Sequence, residues 1–435
     1  MKKLILIQAT GGLRRGLSYT QSKYPSLALG IVAGLTPENW DIEILDSLND
    51  NFIGYSADLV AITAYTPTVN SAYQIASHYR ERKIPVIIGG IHATLLPEEA
   101  MLFCDSVVTG EAESIWQEVI KDFEKGELKK MYIGTVGSSN IASPDRKYFN
   151  PDFNLTSIQA SRGCPMNCDY CSVTLLSGKK FRKHPVIDII NDWKNIKQEF
   201  VWFSDDNLFG FNESDRKWVQ DLFSQIIKQK LVKNWMCFAG VNSLRDEKTV
   251  ALAAQSGCKI VYIGFETLDP VSLEAVNKNP SQIKYYKDVI DLLHKYGISI
   301  LAGIMLGFDN DTAESISKRV DFVLDSDIDT YFLTVTTPMP GTRLFDRYMK
   351  EGRLRYTNFP TDWDHYDWTQ LVYKPQNMTI ASAENAIYNA YQKAYSYQTI
   401  KEKYKQSKSL LQCCDSAMLN YLSNMDFRDT FLKQI

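Results

Sequence analysis

The 435-residue sequence contains no run of the roughly 18 apolar residues that a membrane-spanning helix requires. It has no low-complexity tract, no internal repeat and no marked excess of either charge. Its 48 Lys and Arg stand against 51 Asp and Glu, a formal net charge of −3. A basic surface for nucleic acid or for an anionic membrane is therefore not expected. A signal peptide is not expected: after Met1-Lys2-Lys3 the apolar run Leu4–Ile7 is short for one, and a first buried β-strand fits better. A cytoplasmic chain is the expectation. In that compartment eight cysteines do not form a disulfide framework, and any that cluster are expected to bind metal or do redox chemistry.

What the sequence does have is length, enough for two or three domains, and 24 Tyr, 20 Phe and 8 Trp. These aromatics suit large cofactor pockets and thick ordinary cores equally. Apolar runs alternate with amphipathic stretches over residues 1–135, predicting a doubly wound, Rossmann-like parallel-sheet domain. Its strands are expected at Leu4–Gln8, Asp41–Leu45, Leu59–Thr63, Val86–Gly89 and Ser106–Val108, and its helices at Ser26–Leu35, Val69–Glu81 and Ile115–Phe123. Small-residue loops follow the strand ends (Thr10-Gly11-Gly12, Thr63 to Thr66, and Gly89-Gly90-Ile91-His92), where such sheets bind ligands. Residues 136–155 read as a linker. Over 156–344, strands are expected at Ser157–Ala160, Phe200–Phe203, Trp235–Ala239, Ile260–Gly264, Ser299–Gly303 and Tyr331–Val335. Six βα units make a partial, unclosed TIM-like (β/α)6 barrel with active residues at the strands' C-terminal ends. Residues 345–435 read as a mostly helical segment, with one helix at Ser382–Ser396.

The first barrel strand runs into Ser161-Arg162-Gly163-Cys164-Pro165-Met166-Asn167-Cys168-Asp169-Tyr170-Cys171. Three thiolates spaced Cys-x3-Cys-x2-Cys on one loop can hold three irons of a cubane cluster and leave the fourth iron open. A closed structural site normally brings four ligands. The alternatives are a zinc site completed by His184 or a remote Cys, and three incidental thiols. The adjacent pair Cys413-Cys414 suits redox chemistry, a second metal or ordinary packing.

This loop resembles that of the radical SAM superfamily, and the resemblance extends over nearly the whole chain. It implies a [4Fe–4S] cluster on Cys164, Cys168 and Cys171, whose open iron chelates S-adenosylmethionine and whose electron releases a 5′-deoxyadenosyl radical. Tyr170 resembles the family aromatic that packs near adenine. Ser204, Asp205 and Asp206, after the second strand, resemble the group that accepts the methionine ammonium, although such a run also caps helices and turns. Glu266, after the fourth, resembles the ribose-binding carboxylate, with an ordinary loop carboxylate as the alternative. Gly303 and Gly307 resemble the glycine-bearing fifth strand, and Thr337 lies in a run that resembles the loop along the adenine side.

The N-terminal domain in turn resembles the cobalamin-binding domain that precedes many such barrels. The resemblance assigns Thr10, Gly11, Thr63, Thr66, Gly89, Gly90, His92, Thr94, Gly110 and Glu111 to cobalamin. None of the five His stands in the Asp-x-His-x-x-Gly pattern that supplies a lower-axial ligand, so His92 is expected to be a loop or tail contact. The alternative is a domain of the same fold without cobalamin. Trp363 to Trp368 resembles the start of the C-terminal region in this branch, making His365 and Tyr366 candidates for substrate contact or proton transfer, with a structural role as the alternative.

The resemblance implies a cobalamin-dependent C-methyltransferase acting on a small molecule, with methylcobalamin as donor and a flavodoxin or ferredoxin as electron source. Two alternatives remain at this stage. One is a radical SAM cyclase, rearrangement or oxidation enzyme that transfers no methyl. The other is a non-catalytic cobalamin or iron–sulfur binding protein.

Overall fold

Strand β1 (Lys2–Gln8) turns Leu4 and Leu6 into one apolar core and Ile5 and Ile7 into another, all four fully buried. A strand apolar on both faces belongs in the middle of a sheet covered on both sides, and β1 has neighbours on both edges. In the computed structural model, which describes residues 1–10, 24–46, 52–137, 141–411 and 414–432, it pairs with β2 (Trp40–Leu45) and β3 (Leu59–Thr63). Next come β4 (Val86–Gly89), β5 (Ser106–Thr109) and β6 (Met131–Ile133). All pairings are parallel, in the order β2-β1-β3-β4-β5-β6. The order reverses between β1 and β3, so their carboxyl ends, with Gln8 beside Thr63, form the crevice where sheets of this type take ligands.

A second parallel sheet starts with β7 (Leu155–Ile158), two residues earlier than the apolar pattern indicated. The strand stops at Ile158 because the Ala160 amide donates to the Asp205 carboxylate instead of continuing the ladder. A two-residue antiparallel ribbon stands beyond it, β8 (Ser161–Arg162) against β9 (Arg182–Lys183). The sheet continues through β10 (Phe200–Phe203), β11 (Asn234–Ala239), β12 (Cys258–Glu266), β13 (Ser299–Leu306) and β14 (Thr330–Val335). Its order, β14-β13-β12-β11-β10-β7, is that of an open six-stranded partial barrel.

The stretch expected to be a linker is docked. The Phe149 ring occupies the space where a side chain on Gly30 would start, 2.4 Å from an added Cβ, and the Asp145 amide donates to the Gly30 carbonyl at 2.9 Å. Arg146 donates to Asp192 at 2.8 Å and to Thr156 at 3.1 Å, both on the barrel side.

The C-terminal part has helices Ile380–Ala394, Tyr397–Leu411 and Cys414–Leu432. The C-terminal part covers the open edge of β14: the Leu333 amide finds the hydroxyl of Tyr395, directly after the first of these helices, at 3.1 Å, and the Val335 amide finds the carbonyl of Trp368, ahead of them, at 2.7 Å. Among the described residues, no helix is long and apolar enough to cross a membrane.

Candidate active site

The cysteine loop leaves the ribbon at Gly163, whose φ of +89° is one that residues bearing a Cβ rarely adopt. A Cβ there would also meet the Lys180 carbonyl at 2.3 Å. The turn is fastened from both sides. The Cys164 amide donates to the Gly178 carbonyl at 3.2 Å, and the Gly163 amide donates to the Asp206 carboxylate at 3.1 Å. Burial, with a smaller push from the neighbouring thiols, raises the Cys164 thiol to about 11 and the Cys171 thiol to about 12. These half-buried thiols stay protonated near neutral pH unless a cation displaces the proton, as metal binding would. Among the described residues no three His, Cys, Asp or Glu side chains are already drawn together as a ligand set.

The zinc alternative finds no fourth ligand among the described residues. His184 lines a separate recess with Leu27, Pro144 and Asp192, and burial lowers it to about 4. The Cys104 thiol donates to the Ala100 and Ser106 carbonyls in the first unit. Cys237 and Cys258 are free thiols buried beside each other in the barrel core. Cys413 lies outside the described residues.

Tyr170, inside the loop, donates to Glu266 Oε1 at 3.2 Å, and Lys278 donates to the same oxygen at 2.7 Å. Glu266 sits at an irregularity in the pairing of β12 with β13 and has φ of +63°, so the strand twists to present this carboxylate. Asp205 is fully buried and accepts from the Ala160 amide and the Ser161 hydroxyl, and burial pushes it up to about 7. It fastens the start of the loop and has no face toward a ligand. Ser204 and Asp206, its neighbours, line a cavity.

That cavity, of about 510 Å³, lies between the carboxyl edge of the first sheet and the mouth of the barrel. Its size falls in the range of roughly 300–1,000 Å³ usual for small-molecule and cofactor sites. From the first sheet come Gln8, Thr63, Gly89, Gly90, Thr94, Gly110 and Glu111, and from the barrel Arg162, Ser172, Trp202, Ser204, Asp206 and Phe238. Tyr24, Trp202, Phe238 and Tyr262 form a row of edge-to-face rings along the barrel mouth, with centroids 4.8–5.5 Å apart. The cavity wall is mainly apolar, with Leu6, Leu29, Ile62, Ile87 and Leu176 among its residues, and carries a few polar groups. Gln8 Nε2 and Trp202 Nε1 are buried donors with no partner among the described residues, and both side chains line it. At Gly90, with φ of +84°, a Cβ would stand 2.1 Å from the Thr63 hydroxyl, so bare backbone forms that stretch of wall. These features fit a bound corrin, with the three-thiol loop adjoining through Arg162 and Ser172.

Several expected contacts lie elsewhere. His92 is completely buried, its Nδ1 3.2 Å from the Thr66 hydroxyl and its Nε2 3.1 Å from Glu99. Glu99 also accepts from Trp363 Nε1 at 2.9 Å and Tyr73 at 2.8 Å. Burial raises its carboxyl, but the hydrogen bonds from His92 and Trp363 outweigh this and hold it below the usual range. His92 and Thr66 therefore anchor the C-terminal segment and do not reach the cavity. Thr10 is buried, its carbonyl accepting from Ser71, and Gly11 lies outside the described residues.

Glu111 lines the cavity, but both its oxygens are held by Arg182. Gly303 is needed where the Tyr262 hydroxyl would stand 2.2 Å from a Cβ. The Gly307 carbonyl accepts from Tyr373, and the buried Thr337 hydroxyl donates to the Val335 carbonyl at 2.9 Å. Tyr366 is fully buried among Phe345, Phe359 and Trp363, and its hydroxyl donates to the Tyr356 carbonyl at 2.8 Å, leaving no proton for a substrate. His365 stacks on Tyr356 with centroids 3.8 Å apart and bonds Gln370 at 3.2 Å, a packing role.

Gln8, Tyr24, Trp202, Arg162 and Arg182 were not singled out from the sequence. The position of Gln8 at the end of the first strand beside the point of order reversal was a usable signal. Arg182, whose partner Glu111 is 71 residues away, carried none.

Comparison with known proteins agrees with this arrangement. A model of the radical SAM superfamily matches residues 158–323, and one of the B12 binding domain matches residues 17–120. The chain is 32% identical over 372 residues to the bacteriochlorophyllide d C-12(1)-methyltransferase of Chlorobaculum tepidum, covering 81% of this chain and 78% of that one. It is 28% identical over 398 residues to the bacteriochlorophyllide d C-8(2)-methyltransferase of the same organism, covering 86% of each. Among solved structures, the radical S-adenosylmethionine methyltransferase TsrM from Kitasatospora setae, with cobalamin and a [4Fe–4S] cluster bound, superposes with a TM-score of 0.63. The match covers 88% of this chain and 85% of that one at 15% identity, a likeness of fold.

Proposed function

The chain belongs to the radical SAM superfamily, in the branch with a B12 binding domain ahead of the barrel, and from that premise we propose that it transfers a methyl group to an unactivated carbon of a small molecule. The observation that carries this reading is one cavity bounded on one side by Gly89, Gly90, Thr94 and Gly110 and on the other by Ser204, Asp206 and the two residues that flank the cysteine loop, Arg162 and Ser172. An sp³ carbon offers no lone pair for polar methylation, so a radical must be generated within reach of a methyl donor. When bound, the cluster supplies the electron that cleaves S-adenosylmethionine, and cobalamin supplies the methyl group.

The chain's own residues have distinct tasks in this reading. Cys164, Cys168 and Cys171 hold the cluster, and Gly163, Asp205 and Asp206 fix the path of their loop. Tyr170, tethered to Glu266, and Ser204 with Asp206 hold S-adenosylmethionine. The bare backbone at Gly89 and Gly90, with Thr63, Thr94, Gln8 and Trp202, receives the corrin. The row Tyr24, Trp202, Phe238 and Tyr262 keeps water from the reacting carbon. The same reading assigns residues 1–135 to the corrin-bearing unit, 156–344 to the barrel and 345–435 to its cover. It calls for a reducing compartment, the cytoplasm, and a flavodoxin or ferredoxin as one-electron donor.

The test is anaerobic purification and reconstitution, followed by turnover with S-adenosylmethionine and a panel of acceptors led by a tetrapyrrole with alkyl side chains, the class named in the two relatives. About four irons and one cobalt per chain, with 5′-deoxyadenosine and S-adenosylhomocysteine formed together, are expected. Deoxyadenosine without S-adenosylhomocysteine would replace methyl transfer with a cyclisation or oxidation. Zinc alone would end the reading.

A further inference from the structure

The boundary between the first unit and the barrel contains a compact group of opposite charges. Glu111 and Glu113 lie on the loop after β5, and Arg162 and Arg182 face each other across the β8–β9 ribbon. Arg182 grips Glu111 with both terminal nitrogens, one contact at 3.1 Å, and also donates to the Ser177 carbonyl at 3.0 Å. Arg162 makes a single ion contact with Glu113 at 2.7 Å, without hydrogen-bond alignment, and donates to Gln159 at 2.6 Å. The directional grip is therefore that of Arg182 on Glu111. Both pairs are almost wholly withdrawn from water, with side-chain exposures of 5–11%. Asp206, at the end of β10, is close enough for both guanidinium groups to oppose the rise in its pKa caused by burial.

Buried ion pairs contribute little net stability compared with apolar packing of the same volume. What they add is direction. A two-pronged guanidinium–carboxylate contact fixes both distance and angle, whereas an apolar contact between units can slide. The two ends of these pairs are also specific. Gly110, directly before Glu111, lines the cavity and donates to the Thr94 hydroxyl at 3.1 Å. Arg162 is separated from Cys164 by one glycine.

We propose that the Glu111–Arg182 and Glu113–Arg162 pairs form a positioning clamp that holds the corrin-bearing sheet edge at a fixed distance from the cysteine loop. Glu111, Glu113 and Arg162 also border the cavity, and Arg182 stands behind its wall; the clamp acts through Gly110 on one side and Gly163 on the other. The proposal rests on the reading above for what the two sides carry, but the clamp itself can be tested without it.

Hydrogen exchange of the unloaded chain provides that test. In Arg182→Met, amides of residues 110–113 and 161–164 are expected to exchange at least about tenfold faster, the mark of a local opening, while the rest of the first sheet stays protected. In the loaded enzyme the magnetic interaction between the reduced cluster and cob(II)alamin, which depends on their separation, is expected to weaken and broaden, with iron and cobalt content unchanged. Turnover should fall on the order of a hundredfold at little changed KM, the scale of a roughly 1 Å misplacement. Arg182→Lys, which keeps the charge but not the two-pronged grip, should lie between wild type and Arg182→Met. The reversed pair, Glu111→Arg with Arg182→Glu, should recover part of the protection.

Unchanged exchange and unchanged magnetic interaction in any folded variant would overturn the clamp. So would loss of cobalt at unchanged exchange, which would make Glu111 a corrin contact. If Arg182→Met does not fold, the Lys variant and the reversed pair decide, and failure of the reversed pair to recover protection counts against the proposal. Absence of corrin or deoxyadenosine in the wild type would refute the proposed function, and the exchange measurement would still judge the clamp.

Discussion

Asp206 accepts a hydrogen bond from the Gly163 amide at 3.1 Å, so a carboxylate at the end of one barrel strand fixes the turn from which the three-cysteine loop departs. The glycine is as necessary as the carboxylate. Gly163→Ala places a Cβ 2.3 Å from the Lys180 carbonyl at a φ of +89°. Strain of about 1–3 kcal/mol is expected, with a fall in iron bound after reconstitution. A fully loaded cluster in this variant would contradict the assignment.

Cys168→Ala removes one of three thiols and no large core volume. The chain should melt within a few degrees of wild type in the metal-free state. Production of 5′-deoxyadenosine should fall to background, and continued production would rule out Cys168 as a cluster ligand.

Tyr366→Phe separates a catalytic role from a structural one. The hydroxyl's partner is the Tyr356 carbonyl, so its loss should cost about 1 kcal/mol of stability. Turnover at saturating substrate should stay within about twofold, well short of the roughly 100-fold contribution typical of a general acid or base. A loss of that size without a change in melting would restore Tyr366 as a proton-transfer group.

Asp205 makes stability depend on pH. Burial raises its pKa in the folded chain to about 7, above the ordinary value of 3.8, so folding favours the protonated form. Its stabilising contribution is complete below about pH 4, declines between about 4 and 7 at up to roughly 1.4 kcal/mol per pH unit, and is flat above. Denaturant titrations across this window should show a shallower decline for Asp205→Asn. An identical slope in the variant would place the effect elsewhere.

Gly90→Ala tests the corrin wall. A Cβ 2.1 Å from the Thr63 hydroxyl must displace either that side chain or the loop. Cobalamin affinity, measured by the change in its visible spectrum on titration, should fall at least about tenfold, a difference of 1.4 kcal/mol. The iron content should not change, because the cysteine loop is on the other side of the cavity.

Both sheets were legible in the sequence because each strand is a short apolar run with a breaker after it. The β8–β9 ribbon and β6 were not, since two or three residues are too few to show a period. The cysteine spacing was legible because all three residues lie on one loop. What the sequence concealed is which polar residues beside the glycines face a ligand and which face inward. His92 follows Gly89-Gly90 and reads like a cofactor contact, yet its partners are Thr66 and Glu99, and Glu99 is completed by Trp363, 264 residues away. Periodicity cannot report a side chain whose purpose lies in another unit. Glu111 poses the same difficulty, since the arginine that claims it sits on a ribbon with no pattern of its own.

The same Glu99–Trp363 bond has a consequence for how the chain can be divided. Asn70, also in the first unit, donates to the Pro360 and Thr361 carbonyls and to Asp364. The stretch around residues 360–364 thus belongs, by its bonds, to the sheet at the opposite end of the sequence. A fragment ending before residue 360 would leave His92 and Glu99 facing water where an indole had been. Such a fragment is expected to be a poor surrogate for the corrin-bearing half, whereas a circularly permuted chain that keeps both stretches should retain it.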